Sequence, residues 1–213
     1  MRLTKLFYTL HATRYTLHAT RYTLHATRYT LHAVCCLCSS IYFCYTKTMK
    51  LNVPYYSQFV DLQDPFWMLR ACGMTSLVMV AEFEGITNLS ILTLCQEAKE
   101  RGGYDMVNGW IHDYLVMKAQ ELGLHACRKE GIVGVEELIA HLIAGHPVIV
   151  SVEKRVLEQK RFHLLVLTGY DTATNSFFYH EPESTDKERG THRRVDVATF
   201  LEYFRGKAIF VEK

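Results

Sequence analysis

Trp67-Met68-Leu69-Arg70-Ala71-Cys72-Gly73-Met74-Thr75-Ser76-Leu77 reads as a loop turning into an apolar helix, with a thiol at the turning point. A cysteine at a helix start feels the positive end of the macrodipole, which favours the thiolate, its nucleophilic form. Ala71 and Gly73 on either side are small enough to admit a carbonyl group. The helix continues apolar through Val80 and Phe83 and stops near Gly85, a residue type that ends helices. Far downstream, His163 opens a strand-like run, Leu164-Leu165-Val166-Leu167-Thr168-Gly169-Tyr170. A cysteine at a helix start with a histidine on a distant strand is the pairing that thiol nucleophiles use: one side chain attacks, the other carries the proton.

Around this pair the chain divides into a helical part and a strand part. Val53-Pro54-Tyr55-Tyr56 reads as a short extended segment, with Pro54 placing it at an edge, and Asp61 to Pro65 as a turn. Residues 89–100 and 110–122 read as amphipathic helices closed by Gly102 and Gly123, and Val135 to Ala144 as another, ending at Gly145. Trp110, Phe200, Tyr203 and Phe204 fit helical packing faces. Strands follow: Pro147 to Val152, then His163 to Tyr170 and Phe177 to His180 as a hairpin around the turn Asp171 to Ser176. A helix over 196–204 and a strand Ala208 to Val211 complete the pattern, with Asp186 to Arg194 a solvated loop. Helices first and antiparallel strands afterwards predict an α+β fold. No P-loop and no dinucleotide-binding glycine pattern is present.

Composition narrows the function classes. The 213 residues are 49% hydrophobic and 22% charged, as expected for an ordinary globular domain. The net charge of +2 hides an asymmetry: residues 1–48 hold six basic residues and no acid, leaving 18 basic against 22 acidic residues, net −4, in 49–213. An acidic body gives no electrostatic reason to expect nucleic-acid binding. Of seven cysteines, Cys35, Cys36, Cys38 and Cys44 lie in the N-terminal segment. Cys72, Cys95 and Cys127 are too far apart for a disulfide framework or a zinc pattern, and Cys95 and Cys127 read as small buried hydrophobes. His112, His125, His141, His146 and His192 have no partners at metal spacing and read as solvated or locally bonded. No metal and no cofactor is expected, and no feature of the sequence sets an oligomeric state.

Residues 8–33 repeat Tyr-Thr-Leu-His-Ala-Thr-Arg three times from Tyr8, Tyr15 and Tyr22, and a fourth copy from Tyr29 breaks off at Ala33. The copies are identical and threonine-rich, unlike a coiled coil, and their histidines have no supporting ligands. They read as a translated tandem repeat. The apolar stretch from Ala33 to Tyr45 is too short for a membrane span of about 20 residues. We therefore expect residues 1–48 to be non-structural or upstream of the true start at Met49, and 49–213 to be the catalytic domain. A start at Met49 would leave no export signal and imply a cytoplasmic protein; secretion is the alternative.

Four stretches carry a family resemblance: Val53-Pro54-Tyr55-Tyr56-Ser57-Gln58; Ala71-Cys72-Gly73-Met74-Thr75-Ser76; Gly145-His146-Pro147-Val148-Ile149-Val150; and His163 to Asp171 followed by Glu181-Pro182. In their order and spacing the chain resembles, from Met49 onward, the stand-alone relatives of the family 39 cysteine peptidases. Those are papain-like enzymes related to the proteases that trim bacteriocin leader peptides after a double glycine. The resemblance implies a papain-like fold, with the Cys72 helix packed on an antiparallel sheet that carries His163. It implies Cys72 as nucleophile, His163 as general base and Gln58 as an oxyanion-hole donor. The residue that orients the histidine is usually Asp or Asn in an Asp-Pro pair; here the pair is Glu181-Pro182, and the extra methylene moves the carboxylate. Asp171 is an alternative acid, but it falls in the turn, and His180 would point to the opposite face of the strand from Glu181. Three readings follow: a cysteine peptidase acting on a peptide or protein, an acyltransferase or transglutaminase-like enzyme using the same acyl-enzyme, and an inactive peptide-binding module.

Overall fold

The helix that begins at Cys72 is apolar on all sides because it is enclosed on all sides. In the computed structural model, which describes residues 48–156 and 159–213, Cys72–Phe83 forms α1, and every residue from Cys72 to Ala81 is buried. A helix without a polar face belongs in the middle of a core rather than on its surface. The remaining helices are Ile91–Glu100 (α2), His112–Glu121 (α3), Glu136–Ile143 (α4), Lys187–Gly190 (α5) and Val197–Tyr203 (α6). Each lies within a residue or two of the range read from the sequence, where one was read. Gly85, at φ +93°, follows α1 and takes the left-handed conformation that closes a helix at little steric cost. The expectations for residues 1–48 fall outside the described residues, Thr48 apart.

The described residues form nine strands: Met49–Lys50 (β1), Tyr104–Asp105 (β2), Gly109–Trp110 (β3), His125–Glu130 (β4), Val148–Val156 (β5), Gln159–Asp171 (β6), Ser176–His180 (β7), Arg193–Asp196 (β8) and Phe204–Glu212 (β9). Seven form one antiparallel sheet in the order β4-β9-β5-β6-β7-β8, with β1 joined to β6; β2 and β3 pair separately. This is the α+β architecture expected.

The sheet is covered on both faces, which explains why its central strands read as unbroken apolar runs. Along β6, Leu164 and Val166 join Ile149 and Ile209 in a core with α1, α2 and α3. The alternate residues Leu165 and Leu167 join Val148, Val150 and Phe177 in a second core with Leu138 and Leu142 of α4 and Phe200 of α6. Gly169 lies at a bulge where β1 crosses, and a β-carbon there would collide with the Met49 carbonyl.

Five expectations are corrected. The charged stretch 186–194 is not a loop throughout: it holds the short helix α5 and the start of β8. His163 does not open its strand: β6 starts four residues earlier, at Gln159, and His163 pairs with Val152. The charged Lys160-Arg161 pair concealed that start. Residues 53–56 pair with no strand among the described residues; the first strand there is Met49–Lys50 instead. Trp110 lies in β3 rather than on a helix, and Phe204 opens β9. Cys127 is exposed, because it lies on β4, a polar edge strand that hydrophobic patterning missed. Its charged neighbours Arg128, Lys129 and Glu130 are the kind that protect an open edge from pairing with other chains. Cys95, by contrast, is buried as expected. No helix among the described residues is long and apolar enough to cross a membrane.

Candidate active site

Cys72 is the first residue of α1 and His163 lies inside β6, and the packing of α1 on β6 brings them together on one cleft of about 500 Å³. His163 is 1% exposed, so its partners decide its charge. Its Nε2 donates to Glu181 Oε1 at 2.6 Å. Its Nδ1 makes no hydrogen bond of ordinary geometry among the described residues; Glu183 Oε1 lies 3.8 Å away, and the Cys72 thiol also contacts the ring. Burial opposes a charge on the ring, but contact with Cys72 and with Glu181 outweighs it, and the imidazole pKa is pushed up to about 9.

Glu181 is held from three directions. Oε1 also accepts from the Glu183 N–H at 3.0 Å, and Oε2 accepts from Lys154 Nζ at 2.7 Å. Burial would raise its pKa, but the hydrogen bond and charge of His163, with Lys154 behind them, hold the carboxyl far below the usual range. Glu183 pairs with Lys154 at 3.2 Å and with Arg161 at 2.8 Å. Arg161 then donates to the Leu69 carbonyl at 2.6 Å, tying the sheet to the loop that enters α1. His163, Glu181 and Glu183 place ligand-type atoms within 4.8 Å of one another. Lys154 and Arg161 already balance the two carboxylates, so the cluster carries no surplus negative charge for a cation.

Gln58 is fully buried. Its backbone N–H donates to the Pro182 carbonyl at 2.8 Å and its Nε2 to the Met68 carbonyl at 2.9 Å. It thus links the Glu181-Pro182 turn to the loop before Cys72 and keeps a second amide hydrogen available.

The Peptidase_C39 like family model matches residues 50–207. The chain belongs to that family. It is a cysteine peptidase by membership, and its helices on an antiparallel sheet are those of papain-like relatives. The peptidase domain of Streptococcus ComA, a bi-functional ABC transporter involved in a quorum sensing pathway, aligns with a TM-score of 0.51 at 24% identity, over 68% of this chain and 92% of that one. A double glycine motif protease from an AMS/PCAT transporter, solved in complex with the leader peptide, aligns with a TM-score of 0.53 at 16% identity, over 78% and 95%. No curated protein is a significant match.

In this C39-like peptidase the structure brings Cys72, His163 and Glu181 together and places Gln58 beside their loops. Asp171 is elsewhere: it caps its turn through Ala173 N at 3.1 Å and Thr174 Oγ1 at 2.6 Å, and pairs with Arg194. His180 is structural, donating Nε2 to the Val53 carbonyl at 2.9 Å and accepting the His192 N–H at 3.0 Å. His146 and His192 are locally bonded, to Glu84 at 2.9 Å and Thr168 at 3.1 Å.

Sequence reading missed Lys154, Arg161, Glu183 and Trp110. The only signal for the first two was charge appearing at the ends of otherwise apolar strands. Trp110 donates Nε1 to the Arg70 carbonyl at 2.7 Å and lies against Gly73, where a β-carbon would come within 2.5 Å of the indole. Gly73→Ala is therefore expected to displace Trp110 from the cleft wall, costing about 1–3 kcal/mol of stability. Thermal unfolding and tryptophan fluorescence would read both effects.

The charged pair makes stability pH-dependent. His163 has a raised pKa, so its contribution is complete below its unfolded value of 6.5 and is lost as pH rises through about 9. Glu181 has a lowered pKa, so its contribution is complete above 4.5 and is lost as pH falls through its folded value. The melting temperature is expected to decline between pH 6.5 and 9, and His163→Gln to flatten that slope.

Proposed function

We propose that this peptidase cleaves its substrate through an acyl-enzyme on Cys72. The supporting observation is the buried imidazole: Nε2 is fixed on Glu181 at 2.6 Å, Nδ1 has no hydrogen bond of ordinary geometry among the described residues, and the ring contacts a thiol at a helix start. His163 takes the proton from Cys72 Sγ, and the thiolate attacks the scissile carbonyl carbon. The negative charge that develops on the carbonyl oxygen is stabilised by the unpaired N–H groups at the start of α1 and the spare amide hydrogen of Gln58. The intermediate collapses to a thioester as His163 returns its proton to the leaving amine. His163 next takes a proton from water, whose oxygen attacks the thioester, and returns it to Sγ as the acid product leaves. Glu181 keeps the ring oriented and favours its protonated form throughout.

A peptide segment is the substrate class this reading favours, supported by the leader peptide that the double glycine motif protease was solved with. Incubation of a peptide containing Gly-Gly in ¹⁸O-water tests the reading. Hydrolysis places one ¹⁸O in the new carboxylate. An acyltransferase would instead give an amide when hydroxylamine or another amine is added, with little ¹⁸O product. A binding module would give neither product.

A further inference from the structure

The cleft that holds Cys72 and His163 is basic, although residues 49–213 carry a net charge of −4. Arg70, Lys160, Arg161 and Arg205 line it, and no aspartate or glutamate among the described residues does. Two of these cations are already balanced, Arg161 by Glu183 at 2.8 Å and Lys160 by Glu153 at 3.3 Å. The other two have no carboxylate at ion-pair distance among the described residues. Arg70 donates to the Phe66 carbonyl at 2.9 Å and lies over the Phe66 ring. Arg205 donates to Ser151 Oγ at 3.0 Å and lies 3.4 Å from the centre of the Phe162 ring.

Each guanidinium has five N–H donors in a planar fork, and most of them remain unused here. Their positions are also informative. Arg70 is two residues before Cys72, in the loop that enters α1, whereas Arg205 comes from β9. Its partner Ser151 pairs with Leu164, the residue after His163. The two unbalanced cations therefore reach the cleft from the helical half and from the sheet. His112, on the same cleft, has a lowered pKa, first from burial and then from the charges of Lys207 and Arg205. Burial is the larger cause; the nearby cations add to it, and Glu130 opposes them.

We propose that this cleft selects acidic peptide segments, seating substrate side-chain carboxylates on Arg205 and Arg70 close to the scissile bond. The inference rests on the peptidase reading and adds a substrate class to it. A carboxylate matches the guanidinium fork with two parallel hydrogen bonds, and the aromatic rings beneath both arginines hold their planes in place. Leu69 and Phe162, 48% and 51% exposed on the same cleft, supply apolar contacts for the residues between the acids.

The test uses the full 213-residue chain and site-resolved alkylation of Cys72 by iodoacetamide. Two randomised decapeptide pools compete with the reagent, identical except that one carries Glu where the other carries Gln. The Glu pool is expected to protect Cys72 about tenfold better at low salt, an advantage that salt at about 0.5 M largely removes. Arg205→Gln and Arg70→Gln should each erase most of it, and Arg205→Lys should keep part. Equal protection by both pools, no protection by either, or a full Glu advantage in both Gln variants would overturn the acidic preference. Alkylation of Cys72 no faster than that of exposed Cys127 would overturn the peptidase reading instead.

Discussion

Cys72→Ala is expected to abolish peptide cleavage, and His163→Gln to lower kcat/KM by about 10³-fold or more, without either change unfolding the domain. Loss of the thiol would remove the atom to which the acyl group bonds in the proposed mechanism. Alanine at the start of a buried helix is well tolerated, and Cys72 makes no disulfide. Cys72→Ser fails equally, because a hydroxyl is far harder to ionise than a thiol beside the same imidazole. Glutamine at 163 can keep a hydrogen bond to Glu181 but cannot shuttle a proton. A loss that remains after the melting temperature is matched therefore reports chemistry rather than folding. Steady-state kinetics on a cleaved peptide, read beside thermal unfolding, separates the two.

The second large effect is at Glu181. Glu181→Ala leaves a buried imidazole without its acceptor and Lys154 with only Glu183, and it is expected to cost about 3 kcal/mol of stability. Activity is expected to fall about 10²-fold, because the ring would lose its fixed orientation. The pH profile moves in a defined direction. The proposed mechanism needs a protonated His163 beside the thiolate, and the ring's pKa, pushed up to about 9, places the expected alkaline limb there. Without Glu181 the contact with Cys72 still supports the charged ring, but one of its two raising partners is gone; its pKa falls, so the alkaline limb of kcat/KM is expected to move to lower pH. Glu181→Gln keeps a hydrogen-bonding group without the charge. It should lose less activity while shifting the same limb, which divides orientation from electrostatics. An alkaline limb that stays near pH 9 in both variants would remove Glu181 from the site's proton chemistry.

The helical half was legible because its helices carry their own punctuation. The apolar run after Cys72, and the glycines at 85, 102, 123 and 145, mark where backbone hydrogen bonding must stop. The central strands were legible as apolar runs, but their ends were not. Gln159 to Arg161 extends β6 through polar residues, and β4 is polar nearly throughout because it lies at the sheet edge. Trp110 was misplaced because a two-residue strand has too short a period to detect.

The site shows the same division. Cys72, His163, Gln58 and Glu181 stood within local sequence patterns. Lys154, Glu183 and Arg161 did not, because they matter only through contacts formed by the sheet register and the turn after His180. They also account for the departure at Glu181. The longer carboxylate reaches His163 at 2.6 Å with its second oxygen on Lys154 and its first sharing the Glu183 N–H. The extra methylene is thus held rather than free, at the cost of recruiting a lysine that a shorter residue would not reach in the same way.

The most direct test of the paired thiol and imidazole is the pH dependence of iodoacetamide labelling, read separately at Cys72 and at exposed Cys127, in native protein and in His163→Ala. The account predicts rapid labelling of Cys72 at about pH 5–6, where Cys127 is nearly inert, and loss of that labelling in the variant. Labelling of Cys72 that rises only near the free-thiol range of about 8.5, in step with Cys127 and unchanged by the substitution, would contradict it.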